Sequence, residues 1–196
     1  MSESVPGLLR RAAVEFGNAT AYVIDGENIT FDGLHQAVRH VAALYRREGL
    51  ETGGRVVLWA PNSLEWVVAG LAVTYAGSTL VPANSRYTAH EVVDLVDRTH
   101  ASLVIVADGF LGRTQIADLR SLSRDAPIID IADLATLAEH ADVAELAAAD
   151  ALPDAASPHD LADILSTSPT SGQPKGVPCA PPHTAAAPPT RPAAAQ

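Results

Sequence analysis

Several residue types and patterns are scarce in this 196-residue chain, and each scarcity excludes a class of protein. Cys179 is the single cysteine, so no disulfide can form within the chain and a reducing compartment is expected. Basic residues number 13 against 23 acidic ones, which gives a net charge of −10. Nucleic-acid-binding proteins carry the opposite imbalance, so DNA and RNA partners are not expected.

Long hydrophobic runs are also missing, although 47% of the residues are hydrophobic. No apolar stretch reaches the roughly eighteen residues that a membrane span needs. The segment from Met1 to Leu9 has no basic leader ahead of an apolar core, as a secretory signal would. The sequence therefore predicts a soluble cytoplasmic protein.

Metal-ligand and acid–base patterns do not occur in the sequence. The seven histidines show neither Cys-x-x-Cys nor His-x-x-x-His spacing, and His35 and His40 lie five apart, so they diverge around a helix. The carboxylates of Asp94 and Asp97 are interpreted as a solvated helix face. We therefore predict no metal site and no catalytic residue within this chain.

Strand and helix signals alternate along the chain. Predicted helices are Val5 to Phe16, Phe31 to Glu48, Leu64 to Tyr75, one containing Glu91, and an alanine-rich one from Ile131 that ends before a connection marked by Pro153 and Pro158. Predicted strands are Ala21 to Asp25, Asn28 to Phe31, Arg55 to Trp59, Thr79 to Val81, Ser102 to Val106, Pro127 to Ile129 and Leu161 to Leu165. This order predicts an α/β fold with a layered, mainly parallel sheet flanked by helices.

The last predicted strand leads into a loop with the chemistry of a phosphate site. Phosphates require backbone N–H donors, close approach of the backbone and a cation. Gly172 and Gly176 permit close approach, and Lys175 supplies a compact positive charge. Hydroxyl donors are available from Thr167, Ser168, Thr170 and Ser171. The spacing is not that of the common P-loop, and an ordinary solvated turn is the alternative interpretation.

The stretch from Thr167 to Val177 resembles a family signature, Thr-Ser-Gly-Thr-Thr-Gly-x-Pro-Lys-Gly-Val. This is the signature of adenylate-forming enzymes, the acyl-CoA synthetase and AMP-dependent ligase family. The chain matches nine of the ten fixed positions if Ser171 counts as Thr. Two upstream stretches, Gly54 to Trp66 and Val81 to Thr88, are similar to core segments of the same family, and the resemblance runs from about Val5 to Val177.

The resemblance implies a fold and a reaction. Residues 1–177 would form the first part of the large N-terminal domain of the adenylate-forming fold. In the family, the carboxylate of an acid substrate attacks the α-phosphate of ATP, pyrophosphate leaves, and the thiol of coenzyme A takes the acyl group from the acyl-adenylate. The residues implied to hold the β- and γ-phosphates, bridged by Mg²⁺, are Thr167, Ser168, Thr170, Ser171, Gly172, Lys175 and Gly176.

Two departures from the family pattern shape the functional expectation. Pro169 stands where the family has Gly, which removes a backbone donor and fixes φ near about −65°. Residues 178–196 form a Pro/Ala-rich tail that we expect to be disordered.

We expect a truncated carboxylic acid–CoA ligase that is inactive as an isolated chain. The alternatives are a non-enzymatic interaction module or half of a split ligase completed by a C-terminal polypeptide, and an unrelated α/β domain. Fatty, aromatic and steroid-derived acids remain equal candidates for the substrate.

Overall fold

The computed structural model describes residues 4–122, 126–155, 157, 160, 162–167 and 175–179. Its helices are α1 (Val5–Phe16), α2 (Phe31–Arg47), α3 (Leu64–Tyr75), α4 (Ala89–Thr99), α5 (Gln115–Leu122), α6 (Leu134–Ala138) and α7 (Val143–Ala155). Its strands are β1 (Thr20–Ile24), β2 (Glu27–Thr30), β3 (Arg55–Trp59), β4 (Thr79–Pro82), β5 (Leu103–Val106), β6 (Ile128–Asp130), β7 (Asp163–Thr167) and β8 (Lys175–Cys179).

Six strands form the central sheet in the order β6-β5-β3-β4-β7-β8, and β1 and β2 form a separate antiparallel hairpin. Every neighbouring pair in the central sheet is parallel except β7 and β8. The predicted fold class, a mainly parallel layered sheet with flanking helices, is therefore confirmed.

Two apolar cores cover the two faces of the sheet. Successive residues of β3 alternate between them: Val56 and Leu58 pack under α1, α2, α3 and α6, whereas Val57 and Trp59 pack under α4 and α5. All four side chains are buried. Burial on both faces explains why the strands read as continuous apolar runs rather than alternating ones.

Side-chain caps fix the starts of four helices. The hydroxyls of Ser4, Thr30 and Ser63 accept hydrogen bonds from backbone N–H groups three residues later, at the starts of α1, α2 and α3. Thr88 and Glu91 form a reciprocal capping box at the start of α4. These caps satisfy otherwise unpaired N–H groups, and the starts of α1, α2 and α3 are those that the sequence predicted.

The prediction between Ile131 and Ala156 was wrong in two respects. Pro153 lies within α7, near its end, and is buried, whereas we had expected it to mark a connection. The predicted single helix is also divided into α6 and α7. A new helix begins at Val143 because Asp142 caps it. The Asp142 carboxylate accepts from the Glu145 N–H at 2.8 Å, and the Glu145 carboxylate accepts from the Asp142 N–H at 2.9 Å.

The last strand extends beyond the predicted end of the domain at Val177. Pro178 is the sheet partner of Ile164, and Cys179 is the partner of Asp163. A proline is tolerated here because β8 ends the described strand order and Pro178 therefore sits on an edge strand. Residues 180–196, the rest of the predicted tail, lie outside the described residues, and their disorder stays a prediction.

Candidate functional site

An antiparallel hairpin of β7 and β8 holds the two ends of the predicted phosphate-binding segment together. Thr167 and Lys175 are directly opposite each other, and Ser166 is opposite Gly176. Ser168, Thr170, Ser171 and Gly172 lie between these ends and outside the described residues. The hairpin thus holds the two ends of the motif side by side, and the contacts of its side chains with phosphate stay a prediction.

The carboxyl end of β7 and the amino end of β8, which bound this segment, lie at the carboxyl edge of the parallel strands. Strand β7 runs parallel to β4, which runs parallel to β3, and β3 to β5. The segments that leave these strands therefore emerge at one edge of the sheet, where ligands bind in open α/β sheets.

Two further loops are braced together at the same edge. Asn84, after β4, accepts a hydrogen bond from the Arg86 N–H through its side chain at 2.9 Å. Arg113, after β5, donates from its guanidinium to the carbonyls of Tyr87 at 3.2 Å and Arg86 at 3.4 Å. Sequence reasoning missed this brace, because loop-to-loop contacts between distant segments leave no local pattern.

A cluster of titratable side chains lies among helices α2, α3 and α7. Arg39 donates to both carboxylate oxygens of Asp150, with Nε 3.1 Å from Oδ1. Tyr75 donates its hydroxyl proton to Asp150 Oδ1 at 3.0 Å, so His35 Nε2, 3.2 Å from the same hydroxyl, acts as the donor to Tyr75. The four side chains form one continuous hydrogen-bonded chain.

Burial and neighbouring charges shift the pKa values in this cluster. Burial lowers the pKa of His35, outweighing the attraction of Asp150 for the charged form. Partial burial raises the pKa of Asp150, but hydrogen bonds from Arg39 and Tyr75 and the charge of Arg39 outweigh it and leave this pKa below its ordinary value. Burial also raises the pKa of Tyr75. The cluster is thus an ionised Arg–Asp pair beside a neutral Tyr–His pair.

Other histidines have structural partners. His40 Nδ1 lies 3.4 Å from the Ala138 carbonyl, and His140 Nδ1 lies 2.9 Å from the Thr136 carbonyl. In the part of the chain that the structure describes, no three Cys, His, Asp or Glu residues form a group that could hold a metal ion. Over the same residues, no helix is both long enough and apolar enough to cross a bilayer.

The sheet order, and the β7–β8 hairpin whose strands contain the two ends of the signature, are those of a domain of the adenylate-forming class. A family model described as AMP-binding enzyme matches residues 9–182. The chain belongs to this family.

Among its relatives is a propanoyl:CoA ligase of Rhodococcus jostii whose acyl group carries a 7a-methyl-1,5-dioxo-octahydro-1H-inden-4-yl ring system; it is 40% identical over 190 residues. A ligase of the same description from Mycobacterium tuberculosis is 36% identical over 184 residues. These alignments cover 89% and 90% of this chain. The chain spans only 37% and 36% of the length of these relatives.

Solved structures share the same architecture. The inhibitor-bound N-terminal domain of FACL13 from Mycobacterium tuberculosis has a TM-score of 0.78 and 24% identity, covering 91% of this chain and 44% of that one. VinN has a TM-score of 0.75 at 24% identity, with the same coverage of both chains. At this identity the likeness shows the fold, and it agrees with the sheet order and helix layers described above.

Proposed function

We propose that this chain is the ATP-binding portion of an AMP-forming carboxylic acid–CoA ligase. The segment from Thr167 to Gly176 binds the β- and γ-phosphates of ATP with Mg²⁺, and coenzyme A is the acyl acceptor. The observation that carries the proposal is the pairing of Thr167 with Lys175 across the hairpin. The chain also belongs to the AMP-binding enzyme family.

The proposed chemistry depends on charge and on backbone donors. The departing pyrophosphate gains negative charge as the acyl-adenylate forms, so a fixed cation and hydrogen-bond donors lower the barrier. Lys175 is the only lysine in the sequence and supplies that cation. Its place at the start of β8 anchors the loop end to a strand, which limits the motion of its backbone.

The single lysine permits a direct test. An amine-reactive acylating reagent modifies only Lys175 and the N-terminal amine, and mass spectrometry resolves the two sites. Saturating ATP with Mg²⁺ is expected to protect Lys175 at least about tenfold, while the N-terminal amine reacts at an unchanged rate. Calorimetry measures the matching affinity.

Variants separate phosphate binding from a general effect of charge. Lys175→Ala is expected to weaken ATP binding by about tenfold or more, the cost of a lost charged hydrogen bond. Arg120→Ala removes an exposed cation from α5 and serves as the matched control, with no change in affinity expected. Equal ATP affinity in Lys175→Ala and wild type would refute the role of the segment.

The acid substrate is proposed from the relatives. Two relatives are 40% and 36% identical to this chain over 89% and 90% of its length. Both are named as CoA ligases for a propanoyl group attached to a fused two-ring dione. We infer that the carboxylic acid activated here is a propanoate of this ring class. A protein joining residues 1–179 to the remainder of the Rhodococcus relative should release pyrophosphate faster with this acid than with palmitate. A preference for palmitate would contradict the inference.

On its own, the chain is proposed to bind ATP without forming acyl-CoA, because it spans about a third of the length of these ligases. A second candidate is a binding module completed by a separate polypeptide. Leu165 and Val177 favour it, since these apolar side chains are directly opposite each other and are 46% and 44% exposed.

Adding the remainder of the relative as a separate polypeptide tests this second candidate. Acyl-CoA formation in the mixture, absent with either part alone and reduced by Leu165→Ser, would support a split ligase. Acyl-CoA formation by the isolated chain would instead contradict its proposed inactivity.

A further inference from the structure

A small pocket lies at the amino end of β7, where this strand meets α1, β1 and α3. Its volume is about 190 Å³, and its walls include Tyr22, Trp66, Leu71, Leu80 and Asp163. Pockets for drug-sized ligands have volumes of roughly 300 to 1,000 Å³. This pocket therefore fits a small molecule or a single functional group.

The carboxylate of Asp163 is held at this pocket by the sheet. Asp163 is the sheet partner of Leu80 on β4, and the Leu80 N–H donates to the Ala162 carbonyl at 2.9 Å. The Oδ1 atom of Asp163 is buried, and no hydrogen-bond donor reaches it from the residues that the structure describes. Because an unpaired buried carboxylate oxygen is unfavourable, a positive charge bound beside this carboxylate lowers that cost.

Aromatic side chains on the pocket wall also favour a cation. Trp66 is partly buried on α3, and Tyr22 is exposed at 43% on β1. Organic cations are attracted to the faces of such rings as well as to carboxylates. The net charge of −10 adds a general attraction for cations and repels anions.

We propose that this pocket binds a small primary alkylammonium ion. Its ammonium group lies against the Asp163 carboxylate, and its short alkyl chain packs on Trp66 and Leu71. Asp163 precedes Thr167 by four strand residues, which places the pocket about 13 Å from the start of the phosphate-binding segment. The two sites are therefore separate, and the inference does not depend on the proposed ligase function.

Titration with n-butylammonium chloride, followed by ¹H–¹⁵N NMR at constant ionic strength, tests the proposal. The Trp66 indole signal, assigned with Trp66→Phe, is expected to shift saturably, with a dissociation constant on the order of millimolar. Trp59 lies in the core on the other face of the sheet, so its indole signal is expected to stay unchanged. Neutral n-butanol is expected to produce no saturable shift.

Variants establish whether Asp163 provides the binding energy. Asp163→Asn keeps the side-chain shape and is expected to weaken binding by at least about tenfold, because it removes the ionic hydrogen bond. Asp97→Asn removes an exposed carboxylate on α4 and should leave the affinity unchanged. Tyr22→Leu, at an exposed position, is expected to weaken binding by about threefold and provides a test even if Asp163→Asn fails to fold.

Two results would overturn the proposal. One is equal affinity of wild type and Asp163→Asn, or of wild type and Tyr22→Leu if only that variant folds. The other is an equal shift with n-butanol, which would show a pocket that takes up apolar molecules without recognising charge. ATP binding measured on the same samples reports the phosphate segment independently, so failure of one site is distinguishable from failure of the other.

Discussion

Arg39 on α2 and Asp150 on α7 form a bidentate ion pair, in which Arg39 Nε lies 3.1 Å from Asp150 Oδ1. It is the central one of three ion pairs made by α7. Arg47 pairs with Glu145 at 3.5 Å, and Arg10 pairs with Asp154 at 2.6 Å. These three acidic residues of α7 thus face arginines of α1 and α2. Helix α7 has little apolar periodicity, and this row of ion pairs adds to the packing of its buried Ala149 against the domain.

Removing Asp150 is expected to destabilise the domain by about 1 to 3 kcal/mol, because it breaks a partly buried pair, leaves Tyr75 without this acceptor and leaves Arg39 with only its contact to Gln36. Urea denaturation of Asp150→Ala measures this loss. Asp154→Ala is the matched control: its side chain is 73% exposed, so a loss below about 1 kcal/mol is expected. Equal losses in the two variants would contradict a special role for Asp150.

Acidification is expected to destabilise the domain in two stages. His35 has a folded-state pKa below its ordinary value, so the unfolded chain binds the extra proton first, and stability falls as pH drops below about 6.5. This single group contributes a slope of at most about 1.4 kcal/mol per pH unit. Asp150, whose folded-state pKa is lowered, contributes stability above its unfolded-state pKa and loses it as pH falls through the folded value.

The pH dependence of the urea midpoint between pH 5 and 7 isolates the first stage. His35→Gln is expected to flatten it, because glutamine donates to Tyr75 without titrating. The exposed His90→Gln is the control and should keep the wild-type dependence. If the pH dependence of the urea midpoint is the same in His35→Gln and in wild type, groups other than His35 cause the loss of stability.

Replacing Pro169 with glycine is expected to strengthen ATP binding by about tenfold or more. Glycine restores a backbone N–H at the position where the family signature carries Gly, and a hydrogen bond to a charged group contributes about 1.5 to 3 kcal/mol. Calorimetry with ATP and Mg²⁺ measures the change. Pro188→Gly lies beyond the family match at residues 9–182 and should leave the affinity unaltered. Weaker binding by Pro169→Gly would argue against a phosphate role for the loop.

Two glycines are expected to respond oppositely to alanine. At Gly70, within α3, an added Cβ meets Leu80 Cδ2 at 3.4 Å, an ordinary contact, so Gly70→Ala should stabilise by about 0.5 to 1 kcal/mol through helix propensity. At Gly54 the Cβ meets the Glu51 carbonyl oxygen at 2.8 Å, so Gly54→Ala should destabilise by about 1 to 3 kcal/mol. Thermal unfolding of both variants gives the two signs.

Local sequence predicted much of the fold. The bounds of α1, β3 and α3 are those that the sequence predicted, because caps at Ser4 and Ser63 and a short apolar run from Arg55 to Trp59 are local signals. The division between α6 and α7 was missed although Asp142 and Glu145 have capping-box spacing. Alanine-rich sequence around them has helical propensity throughout, which hid the boundary.

The sequence by itself determined the alternation of strands and helices, the starts of α1, α2 and α3, and the family signature from Thr167 to Val177, since each depends on residues close together in the chain. Only the tertiary structure decided which arginine meets which carboxylate along α7, and that Pro153 stays inside that helix. It alone brought Asp163 beside Trp66 and Tyr22, which are 97 and 141 residues away. Pairings over such distances depend on how whole elements pack, and no local pattern of residues encodes them.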